Sequence, residues 1–319
     1  MKKKIFIHVG SEKSGSSAIQ FFMSQNRSEL KKFGFYVPDR DLGFNDDLVT
    51  GNQVFYFQSL IDTQNLSDLI SRLNIFFESI PDNGVALISS ENLFSIKASF
   101  IIEALVNNFD LKFLAYIRRQ DDYLISAWKQ WYFRYEEDIY SWLLTATRDL
   151  GRWGAILNTY KNFISDDMLV LKIFNRAEFK FGNIVYDFID FLNLSHCTEG
   201  FVVEELAVNK SLDIFIVDLF KSNPYYLLEA HDNNVIDKIL HDFSFQNKYS
   251  PISFVARRKL EDLFSSENQI VCENFFPNRE HLFPLVRFDD YLYPSPEESK
   301  NYQLKILFSM IMKIYEKIS

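Results

Sequence analysis

Residues 8 to 17 read His-Val-Gly-Ser-Glu-Lys-Ser-Gly-Ser-Ser, between a short apolar run and a stretch with helical spacing. A loop between a strand and a helix can seat an anion, because unpaired N–H groups at the helix start converge on it and the helix dipole adds positive potential. Gly10 and Gly15 let the backbone curl closely around a phosphate, Ser14, Ser16 and Ser17 offer hydroxyl donors, and Lys13 supplies a mobile charge. A Walker-type loop sets its lysine directly after the second glycine and before a Ser or Thr. Here Ser16 stands in that place and Lys13 precedes Gly15. A plain strand-to-helix turn carrying an exposed lysine is the other reading of the loop.

Two later apolar runs deliver further polar chemistry. Residues 85–90 lead into Glu91, and residues 111–117 lead into Arg118 and Arg119, with Ser126 about two helical turns further on. Open parallel sheets bind ligands outside the carboxyl ends of their strands, so these residues and the loop are expected at one edge. An arginine fork suits a phosphate dianion. A glutamate after an apolar strand suits a general base whose pKa burial raises, and it equally suits a helix-entry carboxylate within Ser-Ser-Glu-Asn. Arg119 reads as a ligand or as a surface ion pair. Asp121 and Asp122 sit at a helix start, where a dipole role is the ordinary explanation. His8, inside the first strand, reads as a packed core histidine rather than as a base. The remaining histidines show no metal-ligand spacing, and no metal requirement is expected. Trp128, Trp131, Tyr132 and Tyr135 form a stripe that suits helix core more than sugar stacking.

The elements that must position these groups are legible from periodicity. Ile5 to Val9 is a strand and Ser17 to Phe33 a helix with Gly34 as its stop. Residues 85–90, 111–117 and 168–174 read as buried strands separated by helical stretches, the pattern of an α/β fold with a parallel central sheet flanked by helices. No glycine occurs after Gly200 and the later segments suit helices between Pro-containing loops. The expected organisation is therefore an α/β core over 1–200 and a mostly helical C-terminal region over 201–319 packed on it.

Whole-chain properties narrow the function classes. The chain has 319 residues, 33 Phe and 16 Tyr, enough for a large aromatic-rich core. A formal net charge of −9 argues against nonspecific nucleic-acid binding, which depends on neutralising phosphates. Cys197 and Cys272 show no metal or disulfide spacing and read as two buried thiols in a reducing compartment. The basic start leads into an apolar run too short for a signal sequence, and no segment has the roughly 20 apolar residues of a membrane span, so a cytoplasmic location is expected.

Taken in order, Gly-Ser-Glu-Lys-Ser-Gly-Ser-Ser, Ile-Ser-Ser-Glu-Asn-Leu-Phe and Ile-Arg-Arg-Gln-Asp-Asp-Tyr-Leu-Ile-Ser-Ala-Trp resemble motifs of sulfotransferases that use 3'-phosphoadenosine 5'-phosphosulfate (PAPS). With residues 170–192 they look most like the bacterial carbohydrate-type members. The resemblance spans roughly residues 5 to 195 and implies a P-loop NTPase-like fold. It implies that Lys13 contacts the phosphosulfate and assists the leaving group, and that Ser14, Gly15, Ser16 and Ser17 cradle the 5'-phosphate. Arg118 and Ser126 match the residues that hold the 3'-phosphate, and Glu91 the glutamate base of carbohydrate sulfotransferases. PAPS would be the co-substrate, adenosine 3',5'-bisphosphate the product, and a glycan or glycolipid-type hydroxyl or amine the acceptor. The sequence departs from the family in lacking a Gly-rich basic loop near the C-terminus. Lys210, in Val-Asn-Lys-Ser-Leu, is the candidate cation there. A small-molecule kinase with a degenerate P-loop and a non-catalytic nucleotide-binding scaffold are the alternatives; oligomeric state is not specified.

Overall fold

Five apolar runs form one all-parallel sheet in a computed structural model that describes residues 2–43, 53–134, 138–203, 214–221 and 249–318. The strands are β1 (Lys4–His8), β2 (Phe35–Tyr36), β3 (Val85–Ser89), β4 (Asp110–Ile117) and β5 (Leu169–Ile173), in the order β2-β3-β1-β4-β5. Helices α1 (Ser16–Gln25) and α2 (Arg27–Lys32) come after β1. Helices α3 (Val54–Thr63) and α4 (Leu66–Glu78) come after β2, and α5 (Ser99–Asn108) after β3. Between β4 and β5 lie α6 (Gln120–Gln130), α7 (Ile139–Ala146) and α8 (Trp153–Tyr160), and α9 (Ile184–Phe191) comes after β5. This is the expected parallel α/β architecture, with a strand, a glycine-bearing loop and a helix at its start.

The chain divides into two compact units. The first comprises Met1–Arg119, Arg152–Asn209 and Ser266–Phe283 and carries the whole sheet. One face of the sheet is covered by α1 and α9, whose Ile19, Phe22, Met23, Val185, Phe188 and Ile189 pack on Leu87 and Leu114. On the other face α5 packs with α4 and α8. A buried polar tie crosses the first layer: the Tyr116 hydroxyl donates to Asp187 at 2.7 Å and Lys172 donates to the same carboxylate at 2.9 Å, joining β4, β5 and α9.

Strand order fixes where a ligand can sit. From β1 the chain moves two places to β2 along one side of the sheet, whereas from β3 it passes over β1 to β4 in the opposite direction. Right-handed crossovers then put the helices after β1 on one face and the helix after β3 on the other. The carboxyl end of β1 is therefore a topological switch point, the place where such sheets open a crevice.

The second unit comprises Gln120–Gly151, Lys210–Ser265 and Pro284–Ser319. Its described residues are mostly helical, including Ile214–Lys221, the first half of Phe254–Phe275, and Pro296–Ile318. Asp121 and Asp122 do more here than complement a helix dipole. Both pair with Arg257, which is 2% exposed, and the guanidinium lies 3.5 Å from the centroid of the Tyr291 ring. Trp128 is buried core, as its helical spacing suggests, while Tyr132 lies against Trp142 with ring centroids 4.9 Å apart. Cys272 is buried and Cys197 only partly so, both as free thiols, so the reading of two buried thiols holds for one.

Candidate active site

The loop after β1 is pinned from both sides. Ser90 N–H donates to the His8 carbonyl at 3.0 Å, Val9 N–H to Leu114 at 2.8 Å, and Ser11 N–H to Tyr116 at 3.1 Å. Ser11 Oγ gives the Tyr116 carbonyl a second bond at 3.1 Å and shares a 2.6 Å hydrogen bond with Ser14 Oγ, while Ser14 N–H closes a turn onto the Ser11 carbonyl at 3.1 Å. Inside this frame Lys13 and Gly15 both adopt left-handed conformations, with φ of 63° and 84°. For a lysine that conformation costs about 1 kcal/mol or more.

Two contacts hold it. Arg118 Nη1 donates to the Lys13 carbonyl at 2.8 Å, and the Arg118 carbonyl accepts from Trp153 Nε1 at 2.8 Å. At Gly15 a side chain is excluded twice, by the positive φ and by packing. A Cβ there would lie 2.5 Å from Ile184 Cδ1 and 2.9 Å from Phe174 Cε2. Gly15 caps α1 without a side-chain oxygen, and no acidic residue lies in the first turn, so the positive end of the helix is left for an anion.

Glu91 reaches the same edge from β3. Ser89 is the register partner of His8, and Glu91, two residues on, opens a three-residue 3-10 turn rather than an α-helix. A turn that short has little dipole to complement, which weakens the helix-entry explanation of this carboxylate. Burial raises the Glu91 pKa, opposed by the Ser16 hydroxyl and the Lys13 ammonium. Ser16 Oγ is itself buried beside this carboxylate.

Lys13 is shifted the other way. Burial, then the neighbouring Arg118 charge, lowers its pKa to about 8, against the pull of Glu91 and Glu12. Glu12 also belongs to the cluster, and sequence reading missed it. Burial and the Glu91 charge push its carboxyl up to about 7, with Lys13 opposing. The carboxylate beside the lysine was visible in the sequence, but its proximity to Glu91 depends on β1 lying next to β3.

Each of the other expected residues has its own place. Ser14 is fully buried with its hydroxyl engaged by Ser11; Ser16 is buried; Ser17 is partly exposed. Arg118 and Arg119 close a segment of the first unit, while Ser126, 9% exposed on α6, belongs to the second. Lys210 and Tyr135 lie outside the described residues. His8 is a core residue, as its place in a strand suggests: Nδ1 lies 2.9 Å from Ser89 Oγ, Nε2 is buried without a partner, and burial lowers the pKa to about 3. Gly10 makes room for it, since a Cβ there would lie 2.6 Å from His8 Nε2.

Two solved structures similar to this chain are sulfotransferases. The sulfotransferase from Alicyclobacillus acidocaldarius is 15% identical, with a TM-score of 0.42, over 70% of this chain and 93% of that one. The sulfotransferase domain from the curacin biosynthetic pathway is 15% identical, with a TM-score of 0.37, over 83% and 98%. No family model and no curated protein matches the chain. Both structural likenesses are remote, so the functional reading stands on the residues of the loop.

Chemically, Lys13 and Arg118, two partly buried carboxylates and a helix N-terminus meet at the switch point of a parallel sheet. That set can bind an anion and accept a proton at adjoining positions. Among the described residues no group of three His, Cys, Asp or Glu side chains is placed to hold a metal ion, and no helix is long and apolar enough to cross a membrane.

Proposed function

We propose that this protein is a PAPS-dependent sulfotransferase acting in the cytoplasm on a hydroxyl or amine of a glycan or glycolipid-type acceptor. The observation that carries the reading is the placement of Lys13 ahead of Gly15, in a left-handed turn clasped by Arg118, with Glu91 beside it. The loop backbone and the start of α1 receive the 5'-phosphate, Ser16 and Ser17 add donors, and Ser14 shapes the turn. Lys13 faces the bridging oxygen between phosphate and sulfuryl group.

In-line transfer forms the bond from acceptor oxygen or nitrogen to sulfur as the bond from sulfur to the bridging oxygen breaks, releasing adenosine 3',5'-bisphosphate. Lys13 stabilises the charge that develops on that oxygen, and Glu91 takes the acceptor's proton. A sulfuryl group carries less charge than a phosphoryl group, so a lysine and backbone donors can serve without a bridging metal. Arg118, with Ser126 and Lys210, is assigned to the 3'-phosphate that distinguishes PAPS from ATP. The acceptor class rests on the resemblance of Ile-Ser-Ser-Glu-Asn and residues 170–192 to carbohydrate-type enzymes.

The test compares thermal stabilisation by adenosine 3',5'-bisphosphate with that by ATP and Mg²⁺, and then measures sulfate transfer from PAPS to a saccharide panel. Stabilisation by the bisphosphate and turnover on a saccharide are expected. A preference for ATP with Mg²⁺ would point to a kinase. Binding without turnover would point to a scaffold, and activity confined to small phenols would sink the glycan assignment.

A further inference from the structure

The chain leaves the first unit after Arg119 and re-enters it at Arg152, so Arg118 stands one residue from that exit and Trp153 one residue past the return. The two are joined. Trp153 starts α8, is 3% exposed, and donates from Nε1 to the Arg118 carbonyl at 2.8 Å. Tyr160 lies two helical turns further along the same buried face of α8. Its hydroxyl donates to the Leu93 carbonyl, with the Ser95 carbonyl 3.4 Å away. Phe94 packs against both side chains, its ring centroid 5.9 Å from that of Trp153 and 6.3 Å from that of Tyr160.

Leu93 closes the 3-10 turn that Glu91 opens, so α8 grips the chain just beyond two strand ends, the Glu91 turn after β3 and Arg118 after β4. Those strands are not neighbours, because β1 lies between them. No pairing of one with the other fixes how far Glu91 stands from Arg118, and a tie from outside the sheet has work to do there.

We infer that Trp153 and Tyr160 are positioning residues for the reaction: from one face of α8, Trp153 holds Arg118 for donor binding and Tyr160 holds the Glu91 turn for proton transfer. The inference rests on the roles proposed above for Arg118 and Glu91. Both side chains act through main-chain carbonyls.

The turn and the arginine each need such a hold. Within the turn, Phe94 N–H returns to the Glu91 carbonyl at 3.0 Å and Leu93 N–H to that of Ser90 at 3.4 Å. On its other side Asn92 Nδ2 donates to the Val54 carbonyl at 3.1 Å and to Gln58 Oε1 at 3.0 Å, tying the turn to α3. Clasped between α3 and α8, the turn loosens rather than unfolds when one hydroxyl is removed. Arg118 is assigned both the Lys13 carbonyl and a phosphate, and a guanidinium is aimed only as well as its backbone is held. A carbonyl deprived of its buried donor is costly, so the main chain at Arg118 shifts toward another partner once the indole N–H is gone.

The two hydrogen bonds are therefore expected to separate by function. Trp153→Phe and Tyr160→Phe each keep an aromatic ring against Phe94 and remove one donor. For the full chain the measurements are the dissociation constant of adenosine 3',5'-bisphosphate, the pH–rate profile with PAPS and a saccharide that wild type sulfates, and the melting temperature. Trp153→Phe should weaken bisphosphate binding about 2- to 10-fold and leave the acid limb of the profile in place. Tyr160→Phe should bind the bisphosphate like wild type, lose about 10-fold or more in kcat, and move the acid limb to lower pH. The last effect follows because a loosened turn admits water to a carboxylate whose pKa burial raises. The groups that face Glu91, namely Lys13 and Glu12 from the loop after β1 and Ser16 from α1, are the same in both variants.

A purely structural role would lower both melting temperatures and move neither the dissociation constant nor the profile at temperatures where the variants are folded. That result, or loss of the fold by both variants, would overturn the inference and leave the functional proposal standing. If one variant does not fold, the other decides its half of the split. Absence of bisphosphate binding and of sulfate transfer in wild type would overturn the functional proposal, and the inference with it.

Discussion

Arg118 donates to the main-chain carbonyl of Lys13 at 2.8 Å, so the first residue beyond β4 fixes the backbone of the residue that carries the loop's charge. The same guanidinium lies 5.4 Å from the centroid of the Phe174 ring, and Phe174 is one of the two side chains against which Gly15 packs. One arginine therefore supports the left-handed turn from the carbonyl side and from the packing side.

Replacement of Arg118 should act on both the turn and the ligand. Loss of a charge-assisted hydrogen bond costs about 1.5–3 kcal/mol, which for Arg118→Ala corresponds to a bisphosphate affinity weaker by roughly 10- to 100-fold. Arg118→Lys should restore little, because an ammonium cannot keep the Lys13 carbonyl and a phosphate with the fork geometry of a guanidinium. Dissociation constants for the two variants decide it; equal binding by Arg118→Ala and wild type would remove Arg118 from the site.

Gly15 and Gly34 offer a paired test of why the loop glycine is there. Both have positive φ, 84° and 83°, but a Cβ at Gly34 would meet nothing within 4 Å, whereas at Gly15 it would strike Ile184 and Phe174. Gly34→Ala should cost only the conformational term, about 1 kcal/mol, and Gly15→Ala that term plus about 1–3 kcal/mol of overpacking. Chemical denaturation of both variants reads the difference. Equal losses would mean that the packing against Ile184 and Phe174 does not constrain the loop.

Much of this was legible in the sequence because it is local. The strands at 85–90, 111–117 and 168–174 announce themselves as apolar runs bounded by turns, and the loop at 8–17 by its glycines and hydroxyls. What could not be read is what adjacency decides. That Glu12 and Glu91 share one electrostatic site depends on β1 pairing with β3, which no spacing within either segment encodes. Likewise Asp121 and Asp122 looked like helix-start carboxylates because their partner, Arg257, lies 136 residues from Asp121 in the chain. Ser14 looked like a ligand donor because its engagement with Ser11 is a property of the folded turn.

His8 should set an acid limit on stability. Its pKa is lowered by burial to about 3 in the folded protein, against 6.5 for an exposed histidine. The unfolded chain therefore binds a proton that the folded one refuses once pH drops below 6.5. Stability from this residue is full above that pH and declines as pH falls toward 3, by up to about 1.4 kcal/mol per unit. His8→Asn, which is polar but does not titrate, should be less stable at neutral pH and show a shallower decline between pH 6 and 4. Parallel pH–stability curves for the two proteins would rule out His8 as the cause.

Glu91 and Lys13 are separable by kinetics. If Glu91 accepts the acceptor's proton, Glu91→Gln keeps shape and hydrogen bonding yet loses the base, and kcat should fall by about 10²- to 10⁴-fold while bisphosphate affinity stays near wild type. Because burial raises the Glu91 pKa, the acid limb of the wild-type pH–rate profile should lie above the ordinary carboxylate range and vanish in the variant. Lys13→Ala should instead lose both, since the ammonium is assigned to the ground-state phosphosulfate and to the charge that develops on the bridging oxygen. Lys13→Arg should recover binding more than rate, because a broader guanidinium at a left-handed residue cannot reach the same oxygen. A Lys13→Ala enzyme that transfers sulfate at full rate would sink the leaving-group role, and unchanged turnover in Glu91→Gln would move the proton to another acceptor, with Glu12 the nearest carboxylate in the loop.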